Sequence, residues 1–307
     1  MKIGSLCTGY GGLDMAVEAF FDAETVWTAD NDKYASVVIE QKIKKPNLGD
    51  IKTLDWASLE PIDILTAGYP CQPFSAAGHR KGVEDERHIW PYILEGIGIL
   101  RPKWIVLENV RGHLSLGFKE VLKDLASIGY DARWRIVRAS DVGAPHQRAR
   151  LFIVAYPSNN GQSQGQSSGL TQGHTRASSD PTFIDSNCIC WGSTSSDQVT
   201  ANSNCDACEK SQRITRNLRE SCKGLRARKD KGQTGKKYRS SSEMVRETVP
   251  NILVGDRLNP GFIEYMMGLP VGWVTDLNML DNHKLKILGN GVVPQQAYYA
   301  LEQILVM

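Results

Sequence analysis

From Lys2 to Ala155 the chain alternates short apolar runs with amphipathic stretches. Lys2–Leu6 reads as a strand that enters a glycine-rich turn, and apolar positions then recur at helical spacing around Leu13–Phe20. Glu24–Thr28 reads as a second strand, followed by a helix from Lys33 to Lys42. The run Ile62–Thr66, bounded by Pro61 and Gly68, is a third strand short and apolar enough to be buried on both faces. A helix around Ile89–Leu100 is expected to stop at Arg101-Pro102, because the residue before proline is pushed out of helical geometry. Trp104–Leu107 is a fourth strand, Phe118–Ile128 an amphipathic helix ended by Gly129, and Ala132–Val137 and Leu151–Ala155 are further strands. Strands alternating with helices predict an α/β fold with a mostly parallel sheet covered on both faces.

The pattern changes after Tyr156-Pro157. Residues 158–205 are dominated by Ser, Asn, Gly, Gln and Thr and show little periodicity. Asp185-Ser186-Asn187-Cys188 and Asn202-Ser203-Asn204-Cys205 look alike, as turn elements of a loop-rich unit would. Regular patterning returns near Arg257, with helices expected over Pro260–Met267 and Pro294–Val306. The expected organisation is a first unit over 1–155, a second, smaller unit over 156–255, and a return segment over 256–307 that completes the first.

Composition changes this picture little, but charge distribution changes it more. The 307 residues are 41% hydrophobic and 23% charged, and no apolar run approaches the roughly 20 residues needed to span a bilayer. The N-terminus lacks signal-peptide architecture, so a cytoplasmic location and no membrane partner are expected. Seven cysteines without framework spacing point to reduced thiols. The net charge is only +2, yet Glu209–Arg239 holds twelve Lys or Arg against three Asp or Glu. A local basic excess suits a polyanion, and equally a solvated basic stretch.

Several residues carry candidate chemistry. Cys71, in Gly68-Tyr69-Pro70-Cys71-Gln72-Pro73-Phe74-Ser75, follows the third strand at the carboxyl edge, where open α/β sheets bind ligands. Thr8-Gly9-Tyr10-Gly11-Gly12 lets backbone approach a ligand closely, although Asp14 stands where a dinucleotide fingerprint has its third glycine; a tight strand–helix turn uses the same glycines. Asp30 ends the second strand, where an acidic residue commonly binds ribose hydroxyls, and Asp50 follows a turn; singly, either also serves as a cap. Glu108 ends the fourth strand on the same edge as Cys71, where a carboxyl in a pocket can share a proton and an isolated Glu can equally cap or pair. Arg148 and Arg150 bracket Ala149 just before a strand, and alternation puts both on one face if the strand starts early.

Together these motifs resemble one family, the DNA cytosine-C5 methyltransferases. The resemblance rests on Gly9-Tyr10-Gly11-Gly12, Asp30, Gly49-Asp50-Ile51, the Pro70-Cys71-Gln72 block, Glu108-Asn109-Val110, Gln147-Arg148-Ala149-Arg150 and Gly289-Asn290-Gly291-Val292. It covers residues 1–155 and about 256–307, and the interval corresponds to the family's variable target-recognition region. It implies a Rossmann-like methyltransferase sheet, S-adenosyl-L-methionine as cofactor and double-stranded DNA as substrate. A monomer is expected, with a cognate restriction endonuclease as a further partner if the chain belongs to a restriction-modification system. The implied catalytic residues are Cys71 as nucleophile on C6 of a flipped cytosine, Glu108 at N3, Arg150 at O2, and Arg148 supporting the neighbouring backbone. The implied cofactor residues are Leu6, Gly9, Gly11, Gly12, Asp30, Asn31, Asp50, Ile51, Pro70 and Asn290.

Departures from the family pattern cluster on the cofactor side. Cys7 stands where Phe is usual and Asn31 where Trp is common, so aromatic contacts to the adenine are lost; Leu6, Leu13 and Trp27 are the candidates to replace them. Asp30 replaces Glu, Tyr69 replaces Phe, His146 replaces Gln and Gly291 replaces Ser. Cys188-Ile189-Cys190 and Cys205-Asp206-Ala207-Cys208 offer four thiols, but the first pair is tighter than the usual zinc spacing and no metal is expected. Three other readings compete: a cousin acting on transfer RNA, a catalytically idle DNA-binding relative, and a nicotinamide oxidoreductase. The last has no need of Pro-Cys-Gln.

Overall fold

The computed structural model describes residues 1–70, 89–158 and 249–306. Cys71, the polar and basic region 159–248 with its cysteines, and the expectations that fall on them lie outside the described residues. Six strands, β1 (Lys2–Leu6), β2 (Glu24–Ala29), β3 (Ile64–Ala67), β4 (Trp104–Val110), β5 (Tyr130–Val137) and β6 (Arg150–Pro157), form one sheet in the order β2-β1-β3-β4-β6-β5. The described helices are α1 (Gly12–Phe21), α2 (Lys33–Val38), α3 (Trp90–Leu100), α4 (Phe118–Ser127), α5 (Pro260–Met266), α6 (Asp281–Asn290) and α7 (Pro294–Leu305).

Strands β1 to β4 run parallel, as the alternation predicts. Strand β6 departs from that expectation and is antiparallel to both β4 and β5. The physical reason is the β5–β6 link: it holds only a short 3-10 turn over Ala139–Val142, not the crossover helix that a parallel return needs. Successive residues of the central strands supply opposite faces of the sheet. Ile64, Val106, Phe152 and Val154 pack beneath α1 and α7 with Leu13, Ala16, Ala297 and Leu301. Leu65, Ile105, Leu107 and Ile153 pack beneath α3 and α4 with Ile93, Ile97, Val121 and Leu125. Burying each such aliphatic side chain contributes ~1.5–3 kcal/mol, so these two layers dominate the stability of the sheet.

Helix limits follow local chemistry. The Asp32 side chain caps α2 by accepting from the backbone N–H of Tyr34 (2.8 Å) and Ala35 (3.3 Å). The helix expected to reach Lys42 changes to a π turn over Ile39–Ile43 and stops at Lys44, whose φ is 59°. Helix α3 ends in left-handed Arg101, directly before Pro102.

The return segment closes on the start of the chain. Glu264 on α5 is buried and fully satisfied, accepting from the N–H of Gly272 (2.8 Å), Val274 (2.6 Å) and Thr275 (3.0 Å) and from the Thr275 hydroxyl (2.7 Å). The loop wound around that carboxylate presents Trp273, whose Nε1 donates to the carbonyl of Tyr10 at 2.9 Å. The Tyr10 hydroxyl donates to the carbonyl of Val292 at 2.7 Å. A Cβ on Gly291 would overlap the Tyr10 ring, and one on Gly12 would overlap the Val292 carbonyl. Gly291→Ala is therefore expected to destabilise the protein by about 1–3 kcal/mol through overpacking. Gly98→Ala on α3, with no described residue within 4 Å of the added carbon, should leave stability unchanged or higher. Thermal melting of the two variants checks this, and equal melting temperatures would contradict the packing described.

Candidate active site

The turn after β1 is built from left-handed residues. Cys7, Gly9 and Gly11 have φ of 52°, 56° and 81°, a conformation open to glycine and mildly strained for cysteine. The turn closes with the N–H of Gly11 on the carbonyl of Thr8 at 2.8 Å, and α1 starts at once. Asp14 explains why no third glycine is present. Its buried carboxylate accepts from the Ser5 hydroxyl on β1 (2.8 Å) and the Thr66 hydroxyl on β3 (2.5 Å), tying two strands beneath the first turn of α1. Burial pushes its pKa up, against the pull of those two hydroxyls.

The acidic side of the site sits beyond β2. Asp30 is held by backbone donors, accepting from Gly9 N–H (2.8 Å) and Asp32 N–H (2.9 Å), while burial raises its pKa. Asn47 braces the same residue, its amide accepting from Asp30 N–H at 3.0 Å and donating to Asp30 O at 3.1 Å. Asp50 caps the short turn that contains Ile51, accepting from Lys52 N–H at 3.0 Å. Its other oxygen accepts from the Asn31 amide at 3.3 Å, so the residue found in place of a ring binds the neighbouring acid. Cys7 lies beside both acids. Burial, and then the charges of Asp30 and Asp50, push its thiol far above the usual range and keep it protonated.

The other side is formed by β4 and β6. Because β6 is reversed, its first residue lies at the edge where β4 ends: Val110 pairs with Arg150 and Glu108 with Phe152. Glu108 and Arg150 therefore share one face on a diagonal, and the Arg150 Nε lies 2.9 Å from Glu108 Oε1. Burial raises Glu108 to about 7 even though Arg150 and Arg148 both pull it down. Arg148 does not alternate with Arg150 along a strand. It precedes β6 with φ of 33°, and its Nη2 donates to the carbonyls of Gly289 and Gly291 at 2.7 Å each. The condition for one shared face, an early strand start, is not met, because the strand starts at Arg150.

A cavity of about 960 Å³ opens at this carboxyl edge. Of the expected cofactor residues, Leu6, Gly9, Gly12 and Asp30 line it, and so do Asn31, Asp50, Ile51, Pro70 and Asn290. Glu108 and Arg150 line the same cavity. Gly11 lies outside the wall and faces Ile43, and Arg148 lies behind the wall as a brace. Leu13 lines the cavity, whereas Trp27 is buried against Gly4 with its Nε1 on Glu60 O at 3.0 Å; a core ring cannot replace a lost adenine contact. Lys286 on α6 also lines the cavity and pairs with Asp32 at 2.6 Å; nothing in the local sequence pattern marked that helix or that residue. Tyr69 is buried, with its hydroxyl 2.9 Å from His113 Nε2 and its carbonyl accepting from the Asn109 amide at 3.2 Å.

The family model for C-5 cytosine-specific DNA methylases matches residues 1–306. The chain belongs to that family. Among curated relatives, the type II methyltransferase M.Bsp6I of Bacillus sp. is 35% identical over 164 residues, which are 51% of this chain and 52% of the relative. The type II methyltransferase M.HhaI of Haemophilus parahaemolyticus is 33% identical over 161 residues, 51% of this chain and 49% of the relative. The matched region thus spans about half the length of these methylases. In fold, the chain is similar to the Dnmt2 methyltransferase of S. pombe, with a TM-score of 0.59, 19% identity and 99% of both chains covered. It is also similar to the Entamoeba histolytica methyltransferase EhMeth, with a TM-score of 0.57, 15% identity, and 99% of this chain and 98% of that one covered. The family and the fold imply an S-adenosylmethionine-dependent methyltransferase. Among the described residues, no cluster of three or more His, Cys, Asp or Glu side chains suits a metal, and no helix is long and apolar enough to cross a membrane.

Glu108 gives the cavity a testable electrostatic signature. Its ordinary value is 4.5 and its folded value about 7, so folding binds a proton and the native state loses stability as pH rises from about 4.5 to 7. Glu108→Gln keeps an acceptor for Arg150 and removes that titration. Relative to the parent, the variant should gain on the order of 3 kcal/mol across this window and level off above it. Denaturation measured from pH 4.5 to 8 checks this, and a constant difference between the two proteins would contradict the buried state of Glu108.

Proposed function

We propose that the protein is a sequence-specific DNA cytosine-C5 methyltransferase that uses S-adenosyl-L-methionine. The observation that carries this reading is the Glu108–Arg150 pair at 2.9 Å in a cavity whose opposite wall holds Asp30 and Asp50. Those two carboxylates suit a nucleoside cofactor, Asp30 as acceptor for ribose hydroxyls and Asp50 for the adenine amino group. The open space above Gly9 lets backbone approach it, and Asn290 lies with Val292 on the wall formed by the return segment. When bound, the cofactor supplies a methyl group activated on a sulfonium.

The remaining chemistry belongs to the chain. C5 of cytosine is a poor nucleophile. The Cys71 thiolate adds to C6, which turns the ring into an enamine-like species reactive at C5. Glu108, poised near neutrality, places a proton at N3 as negative charge develops there, while the Arg150 guanidinium holds O2. Once C5 carries the methyl, the C5 proton passes to solvent base, its electron pair expels the Cys71 thiolate from C6, and N3 returns its proton to Glu108. The target carbon is unreachable inside a duplex, so the base must be flipped into the cavity. We assign residues 156–255 to target recognition, with the basic stretch from Glu209 to Arg239 along the phosphates, where it adds affinity without sequence information. The chain acts as a monomer in the cytoplasm, alongside a cognate restriction endonuclease where one is present.

Two experiments test the reading. Duplex DNA carrying 5-fluorocytosine should trap the protein covalently in the presence of cofactor, because no C5 proton can leave, and Cys71→Ser should abolish the adduct. A Cys71→Ser protein that still forms it would remove the nucleophile, and methylation of transfer RNA but not duplex DNA would replace the substrate. On the cofactor side, Asp30→Ala should weaken S-adenosylmethionine binding by about tenfold or more, the worth of a charge-assisted hydrogen bond. Titration calorimetry reads that change, and an unaltered affinity would place the ribose elsewhere.

A further inference from the structure

The strand that delivers Arg150 begins where regular pairing ends, with one further backbone bond beyond it, Ala139 N–H on Gln147 O at 2.7 Å. Val137, the last residue of β5, pairs with Arg150, the first of β6, and residues 138–149 loop out beyond them. Immediately before β6 the chain passes through Arg148, whose φ of 33° is left-handed and unfavourable for a branched or long side chain. Gln296, in the first turn of α7, reaches into this junction. It is fully buried, and its Nε2 donates to Val137 O at 2.7 Å and to Arg148 O at 2.8 Å. Both hydrogens of one amide nitrogen thus span the two sides of the gap. Its Oε1 has no partner among the described residues, so all of the side chain's hydrogen bonding there is directed at the junction. The Arg148 side chain answers in the other direction, with Nη2 on the carbonyls of Gly289 and Gly291 at 2.7 Å each.

We propose that Gln296 is a positioning residue for Arg150: by bridging Val137 and Arg148 it fixes where β6 begins, and so where the guanidinium lies against Glu108. The bridge rests on the catalytic reading of Glu108 and Arg150 given above and touches neither directly. Glutamine suits the task because a single planar nitrogen carries two donors. A methionine of similar volume has none, and an ionised glutamate has only acceptors facing two carbonyl oxygens. The same junction links the two halves of the site, since Gly291 adjoins Asn290 on the cavity wall while Arg148 adjoins the strand of Arg150.

The test compares the full-length parent with Gln296→Met and Gln296→Glu at pH 8. The rate of covalent capture is measured on duplex DNA made with 5-fluorocytosine in place of every cytosine, so that any target sequence in the duplex carries the trap. Affinity for S-adenosylmethionine is measured by calorimetry, and folding by circular dichroism at the assay temperature. A folded variant should capture DNA about tenfold or more slowly, as a small misplacement of a catalytic group does, with cofactor affinity within twofold of the parent. Two results overturn the proposal: capture within twofold of the parent in either folded variant, or equal losses of capture and cofactor affinity, which a merely structural role would give. A parent that captures no DNA overturns the methyltransferase reading instead.

Discussion

Tyr10 closes the molecule. Its hydroxyl reaches the carbonyl of Val292, its own carbonyl accepts from Trp273, and its ring fills the space that a side chain at position 291 would need. A residue in the first turn of the chain is thereby locked to two elements some 260 to 280 positions later. The lock sets the size limit at Gly12 and Gly291, and it brings Asn290 to the cavity beside the turn after β1. Neither half of the chain forms this wall alone. Glu264 is the counterpart on the far side: a buried carboxylate affordable only because four donors surround it, it shapes the loop that presents Trp273.

The reversal of β6 does for the Glu108 side of the cavity what Tyr10 does for the wall that holds Asn290. A parallel strand would deliver its first residue to the opposite edge of the sheet. The antiparallel one starts Arg150 beside the end of β4, on the diagonal from Glu108. Two arginines near one carboxylate would ordinarily lower its pKa by a unit or more. Burial outweighs both and leaves Glu108 near 7. The acid is therefore neither firmly ionised nor firmly neutral near pH 7, which is the condition under which a carboxyl can both give and take a proton.

Most of the sheet was legible because buried strands announce themselves as apolar runs and helices as amphipathic ones. Strand β1 and helix α3 fall within a residue of their expected limits, and proline and glycine account for the stops. The direction of β6 was not legible, because period-two alternation is the same in either sense and only the missing crossover helix sets it. Helix α6 was missed because Asp281–Asn290 is polar along most of its length and is held by side-chain pairs, Tyr34 stacking on His283 and Lys286 on Asp32, more than by an apolar stripe. In the site, residues announced by motif, such as Asp30, Asp50, Glu108 and Arg150, line the cavity. Residues that hold them, such as Asn47, Trp273 and Gln296, act through backbone carbonyls and amides that no one-dimensional pattern reveals.

That division has a common cause. The groups in contact with the cavity are ionisable, and each would be costly to bury or free to wander without fixed partners. Asp30 is fixed by the N–H of Gly9 and Asp32, Asp14 by hydroxyls from two strands, and Asp50 by Lys52 N–H with the Asn31 amide. In each case at least one partner comes from a different element or turn, so position is set by the fold as well as by the local turn. The loss of rings at Cys7 and Asn31 fits the same scheme. An amide at position 31 orients the acid beside it, and a protonated thiol at position 7 adds a neutral surface between two carboxylates. This side of the cavity is thus organised by hydrogen bonds where the family more often has aromatic rings. Directional bonds fix a carboxylate more strictly than packing against a ring would, so the acids at 30 and 50 present defined oxygens to the cavity.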